Sequence, residues 1–522
     1  MPNPWWVISG VMGVCVYLCI ALYEPGIIDN FRDDGIYLLQ ARALAQGRGY
    51  VLPHIPGNPH GVEYPPLYPV FLAGIWKLFP HFPDNLLIFK GFSFICFLAA
   101  LLVLYLLLSR VFSESFFTSI AVSAMTGCSV FVAHFAVQVM TEIPYLFGSL
   151  LLIAYLLDRD RKSLPLRRHQ IVWLMVGSGL LFYLRSQALF LILSIGLYLA
   201  LRNQRKMSVI YLAGTLPFIL PWLAWTGAHA IQPTTDTQSI LQVYGGYGFR
   251  LGNSYANNGV NAVLSENLNG LWQGFGALLL PDLEREGLHS PLQFLWALVF
   301  VLFLAVLIYV LARRKAFFPA IYIGVSLLGL AIWPFPAHYS RFMISLLPFI
   351  WLVLFTLTEN PPERSPSRWF GRIVLALMAL SIVFNLLSIR YLTRYKTVKM
   401  AAQSEYNLIF QEVRKRVPES AVIGAAHGEL VSLFTDRLTW PVHHNLIREG
   451  WVLPAYSQKD LQAYADRLQR NGVSYLLSMS EETPYDAMPE QSVVDVLVAL
   501  SPARYELLAS SPSGILKLYR VR

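Results

Sequence analysis

The sequence predicts a mostly helical, polytopic membrane domain followed by a small α/β domain. Three observations carry that expectation. Of 522 residues, 55% are hydrophobic and 14% charged, whereas about a quarter of an ordinary soluble domain is charged. Eleven long apolar runs recur before residue 390, several near the ~20 residues a helix needs to cross a hydrocarbon core. Beyond about residue 391, short strand-like runs alternate with amphipathic helical stretches, the pattern of an α/β domain.

The expected spans are 5–23, 86–109, 116–134, 142–157, 171–184, 187–201, 208–226, 291–311, 317–334, 341–358 and 371–389. No basic segment precedes 5–23 and no small-residue cleavage site follows it, so it reads as a retained span and not as a signal peptide. A twelfth run, 66–80, is short, and loop charge decides its status. The net charge of +9 gathers in short loops, "DRDRKSLPLRRH" (158–169), "LRNQRKM" (201–207), "ARRK" (312–315) and "PPERSPSRWFGR" (361–372). This is a positive-inside signal and not a nucleic-acid one. Counting from a cytoplasmic N-terminus, all four loops fall inside only if 66–80 does not cross. The expectation is therefore about eleven spans, with 66–80 as a juxtamembrane helix.

The same count places the first loop (24–85), a Gly- and Asn-rich loop (227–290) and the C-terminal region (391–522) outside the cytoplasm. In that region "AVIGAA" and "VSYLLSMS" read as strands, and "YELLASSPSGILKLYRV" as a hairpin. "SQKDLQAYADRLQRNGV" reads as a helix with a Ser cap and an Asn-Gly stop. The four cysteines, Cys15, Cys19, Cys96 and Cys128, all fall within apolar runs, which argues against a disulfide framework.

Ionisable residues at span ends collect on the outer side. Asp33 and Asp34 follow the first span, with Tyr37 on the same helical face. Glu63 precedes "YPPLYP". His134 and Glu142 bracket "HFAVQVMTE", Arg185 lies in "YLRSQ", and His338 and Arg341 lie in "PAHYSRF". Charges near bilayer depth are costly and mark functional sites, although a residue at a span end can also snorkel to water. The aspartates read either as first-turn acids of a helix capped by Asp29 or Asn30, or as a general base. Adjacent helical residues point about 100° apart, so only one can face a given site. Glu142 is equally a plain first-turn acid, with Thr141 as cap. Arg185 and Arg341 are either interfacial anchors or phosphate ligands, since guanidinium matches phosphate oxygens in bidentate fashion. The two histidines suit structural roles. No HExxH or CxxC motif marks a metal site; no cofactor is expected, and a divalent ion stays open.

"DDGIYLLQARALAQGRGY" followed by "EYPPLYPVFLAGIWKLFP" resembles the first outer loop of GT-C fold glycosyltransferases that use polyprenyl-phosphate sugars. The acidic pair, the aromatic, the A-x-x-L-x-x-G-x-G-Y helix and PPLY occur in that family's order. "TEIPY" and "HYSRFMISLLPF" extend the resemblance, which covers roughly 5–390 and is nearest the protein mannosyltransferase, aminoarabinose transferase and lipopolysaccharide-core transferase branch. It implies a GT-C domain over 1–390, carrying the catalytic acids in loop 24–85; the extracytoplasmic α/β domain over 391–522 is not a defining part of that family. The resemblance implies Asp33, Asp34 and Glu142 as catalytic acids and Arg341 with Arg185 at the donor phosphate. Tyr37, Glu63, His134 and His338 would line the substrate. Asp34-Gly35 departs from the family's commoner acidic-bulky pairing, which leaves open which aspartate faces the acceptor. The implied partners are a polyprenyl-phosphate-linked sugar, a glycan, lipid or protein acceptor, and the bilayer of a bacterial inner membrane, with no nucleic acid. The competing reading is a transporter or lipid flippase, which would want inverted repeats and polar breaks at the midplane. No repeat is visible.

Overall fold

The computed structural model describes residues 4–28, 32–161, 167–232, 237–282, 291–313, 316–333, 339–359, 367–446, 457–480 and 492–522. In chain order, α1 (Pro4–Leu22) leads to α2 (Asp33–Ala45), α3 (Leu67–Leu78) and α4 (Leu86–Leu106), the last extended by a π-helical turn to Val111. Next come α5 (Phe116–Gly127), α6 (Val130–Phe135), α7 (Glu142–Arg161), α8 (Arg168–Leu184), α9 (Ala188–Leu201) and α10 (Arg205–Ala228). After these stand α11 (Gln238–Tyr244), α12 (Tyr247–Asn258), α13 (Val260–Leu279), α14 (Gln293–Arg313), α15 (Phe317–Ile332), α16 (Tyr339–Met343) and α17 (Leu347–Glu359). The 50-residue α18 (Ser367–Arg416) enters an α/β region with the order β1 (Val422–Ala425), α19 (Gly428–Thr435), β2 (Leu438–Pro441), α20 (Gln458–Arg470), β3 (Val473–Ser478), α21 (Val493–Leu500), β4 (Tyr505–Ser510) and β5 (Lys517–Val521).

Two compact units emerge, each assembled from separated segments. The first comprises Met1–Tyr23, Lys90–Leu223 and Asn258–Thr393. It is a helical body built for a bilayer. Large apolar side chains on its helices, such as Trp173, Val301, Ile308, Leu328 and Leu386, stay exposed, as expected where lipid is the solvent. Among the described residues, four helices are long and apolar enough to cross a membrane, with windows in Leu86–Val111, Arg205–Ala228, Gln293–Leu311 and Gly371–Arg416. Shorter apolar helices accompany them, including Ala188–Leu201 and Phe317–Ile332. Small residues let these helices approach closely: a Cβ on Gly276 would lie 2.2 Å from that of Trp296, whose indole instead donates to the Leu280 carbonyl at 3.0 Å.

The second unit comprises Glu24–Phe89, Ala224–Asn257 and Arg394–Arg522. Its sheet has the order β2-β1-β3-β5-β4. The first three strands are parallel, and the β4/β5 hairpin closes antiparallel on β3. Helix α20 starts on the expected Ser457 cap, which forms a capping box with Asp460, and ends at Asn471 before Gly472, which adopts φ +78°. The open edge of β2 is covered: the Thr439 amide donates to the His54 carbonyl at 2.7 Å, and α19 packs on α2. Helix α3 has 12 residues, about 18 Å at 1.5 Å per residue, well short of the ~30 Å core. It packs along α2.

Helix α18 continues the expected span 371–389 without a break to Arg416. Residues 372–416 contain neither Gly nor Pro, and Glu412 supports the last turn through Arg416 at 2.7 Å. Pro418 ends it, because the residue before a proline is pushed out of the α region.

Candidate functional site

The first turn of α2 carries the acidic pair. Asp29 and Asn30, expected as caps, lie outside the described residues. The cap position belongs to Arg32, which makes no side-chain capping bond and adopts φ +59°. The two aspartates meet different surroundings. Asp33 is half-buried, whereas Asp34 is 1% exposed. The Tyr64 hydroxyl donates to Asp33 Oδ1 at 2.7 Å. Burial pushes the Tyr64 phenol well above its ordinary pKa, and the Asp33 carboxylate adds to the effect, so the hydroxyl stays a donor. Tyr37 packs edge-on against Tyr64 and Tyr68, with centroids at 4.9 and 5.1 Å. Tyr50 fixes this loop by donating to the Tyr64 carbonyl at 2.7 Å.

Beside the aspartates lies a buried ionic network. Glu63 pairs with Arg250 at 2.5 Å and lies 3.8 Å from Arg32. Burial raises the Glu63 pKa, with Arg250 and Arg32 pulling the other way. The Val243 carbonyl accepts from Arg32 at 2.9 Å and from Arg250 at 2.5 Å. Glu429, at the start of α19, lies 3.8 Å from Arg32 and accepts from the Tyr244 hydroxyl at 2.8 Å. That hydroxyl in turn meets His54 Nε2 at 3.0 Å. Burial pushes His54 down to about 3, and the charges of Arg42 and Arg32 add to the effect, so its ring is neutral. Arg32, His54, Tyr244, Arg250 and Glu429 escape sequence reasoning. They come from four distant stretches and share no motif; only Glu63, beside PPLY, signals its place.

A second cluster belongs to the helical body. Glu142 opens α7 and its side chain is fully buried. Its Oε1 accepts from Arg341 Nη2 and Nε at 2.8 and 3.0 Å and pairs with Arg185 Nη1 at 3.1 Å. Thr141, expected as a cap, takes a hydrogen bond from Arg185 at 2.7 Å. The two guanidiniums also sit over rings, Arg185 on Phe342 and Arg341 on Phe135. His134 is half-buried on α6, its ring against Phe135. His338 lies outside the described residues. Two guanidiniums facing one carboxylate leave a net positive cluster suited to an anion. Among the described residues, no group of three or more His, Cys, Asp or Glu side chains gathers as metal ligands.

Likeness to solved structures gives the chain a GT-C fold. The chain is similar to ArnT from Cupriavidus metallidurans bound to undecaprenyl phosphate, with a TM-score of 0.55 and 13% identity over 99% of this chain and 98% of that one. Against the apo state of the same protein the TM-score is 0.52, with 12% identity over 98% and 97%. The Archaeoglobus fulgidus oligosaccharyltransferase tethered to an acceptor peptide gives a TM-score of 0.54, with 12% identity over 99% of this chain and 74% of that one. Comparison of the sequence with protein-family models and with curated proteins finds no match.

Proposed function

We propose that this protein is a membrane glycosyltransferase that moves a sugar from a polyprenyl-phosphate donor to an acceptor hydroxyl at the extracytoplasmic face of a bacterial inner membrane. The observation that carries the reading is the inequality of the aspartates: Asp33 is half-buried with its carboxylate oriented by Tyr64, and Asp34 is enclosed. The fold supports it, since one neighbour binds undecaprenyl phosphate and the other is an oligosaccharyltransferase.

In the proposed reaction the acceptor oxygen attacks the anomeric carbon while its proton passes to the Asp33 carboxylate. The bond from that carbon to the phosphate oxygen breaks, and the polyprenyl phosphate leaves with the electron pair. The leaving group is already stabilised, so no acid need protonate it. Arg341 and Arg185 offset the charge left on the phosphate. Glu142 takes the role of holding these two guanidiniums in place, in preference to that of a second acid. A single displacement inverts the anomeric configuration. About eleven crossings, with α2 and α3 as juxtamembrane helices and the α/β domain outside, complete the proposed topology. Tyr37 and Glu63 shape the acceptor side.

The test is incubation of the purified full-length protein with a panel of polyprenyl-phosphate sugars and cell-envelope acceptors. Loss of one donor with release of polyprenyl phosphate and an inverted product is the expected result. Transport of the intact lipid between leaflets, with every donor unconsumed, would oppose it.

A further inference from the structure

Glu429 of the α/β domain lies 3.8 Å from Arg32, the residue before the first turn of α2. Arg32, the residue directly before Asp33, adopts φ +59°, a left-handed conformation that a non-glycine residue keeps only when its surroundings over-determine it. Its carbonyl accepts from the Ile36 amide at 3.1 Å and so starts the helix that carries both aspartates. No side-chain cap helps it. What holds Arg32 is its guanidinium, which donates to the Val243 carbonyl at 2.9 Å, lies over the Tyr244 ring at 5.7 Å, and stands 3.8 Å from both Glu63 and Glu429. Glu63 already has a closer partner in Arg250 at 2.5 Å. Glu429, at the same 3.8 Å as Glu63, is the carboxylate that the α/β domain sets against Arg32, and it is 1% exposed. It is itself located by the Tyr244 hydroxyl, which His54 locates in turn.

We infer that Glu429 of the α/β domain is a positioning residue: through Arg32 it fixes the backbone at the start of α2 and thereby the direction of the Asp33 carboxylate. The inference rests on the glycosyltransferase reading for its catalytic consequence, but its structural part can be measured separately. It also assigns the α/β domain a part in the rate of transfer, apart from any choice of acceptor. A misplacement of about 1 Å can cost on the order of a hundredfold in rate, so loosening one helical turn is enough.

The experiment uses the full-length protein in lipid nanodiscs. Glu429→Gln keeps an oxygen for Tyr244 but removes the charge facing Arg32. Hydrogen–deuterium exchange over residues 33–37 is expected to lose protection while β1 and β3 keep theirs. Transfer is expected to show kcat lowered by about tenfold to a hundredfold, with both KM values within about twofold of wild type. Arg32→Lys, which retains charge but loses the planar fork, should give the same exchange pattern. This variant keeps the inference testable if Glu429→Gln does not fold. Arg42→Gln breaks a second ion pair between this loop region and the α/β domain, Arg42 to Asp436 just past α19 at 2.6 Å, and should leave kcat unchanged. Unchanged exchange at 33–37 in both Glu429→Gln and Arg32→Lys overturns the inference. So does an equal loss of kcat in Arg42→Gln, or a raised acceptor KM with normal kcat. If wild-type protein consumes no donor, the glycosyltransferase reading fails by itself, and the exchange data still decide whether Glu429 orders α2.

Discussion

Asp33 and Asp34 are neighbours in sequence and strangers in environment. A helix turns about 100° per residue, which is enough to set one carboxylate beside the Tyr64 hydroxyl and enclose the other. That much follows from the sequence, where the spacing allows only one of them to face a site. That Asp33 is the one bonded to Tyr64, thirty-one positions away, is announced by no local pattern. The same holds for Glu142. Its place at the start of α7 is legible, but its grip on Arg185 and Arg341 is a meeting of three separate span ends. The Tyr64 contact has a direct consequence. Tyr64→Phe removes the hydroxyl and leaves the ring packing with Tyr37 in place. A hydrogen bond to a charged group contributes about 1.5–3 kcal/mol, so kcat should fall by roughly tenfold to a hundredfold with little change in donor KM. Steady-state kinetics on the purified variant check this, and wild-type kcat would mean that the hydroxyl does not orient the base.

At the scale of elements, the secondary structure was legible where local chemistry sets it. The Ser457 cap, the Asn471-Gly472 stop and the β4/β5 hairpin with its turn at Gly514 all stand where the pattern puts them. Strand β2 was not legible, because Leu438–Pro441 is four residues long, ends in proline, and owes its pairing to β1. The continuity of α18 from the span 371–389 to Arg416 is not marked by hydropathy, because a helix yields to Gly or Pro and not to polarity. The loop holding His54 makes a prediction of its own. The native pKa of about 3 lies below the ordinary 6.5. The unfolded chain therefore binds a proton that the native loop refuses at intermediate pH. Stability is fully present above pH ~6.5 and is lost as pH falls toward the native value. Thermal unfolding of the nanodisc protein, followed by tryptophan fluorescence, should show a falling midpoint from pH 6.5 down to 4.5. His54→Gln should flatten that slope, and a parallel slope in the variant would show that other groups cause it.

The whole molecule shows what composition reveals and what it hides. The apolar runs and the loop charges foretell a helical membrane body, and the outer-loop residues point to a GT-C fold, which the structural neighbours bear out at 12–13% identity. The compact units are less visible. Segments 24–89 and 224–257 join the C-terminal residues in one unit, because buried ion pairs and the cover on β2 link positions hundreds of residues apart. No window of sequence contains both halves of such contacts. The function proposed for the molecule depends on one proton transfer. Its most direct measurement is single-turnover transfer from a preloaded polyprenyl-phosphate sugar by Asp33→Asn, beside Asp34→Asn and the wild type. The account predicts that Asp33→Asn loads donor normally yet transfers about 10²–10⁴-fold more slowly. A wild-type rate in Asp33→Asn, with the loss appearing instead in Asp34→Asn, would contradict it.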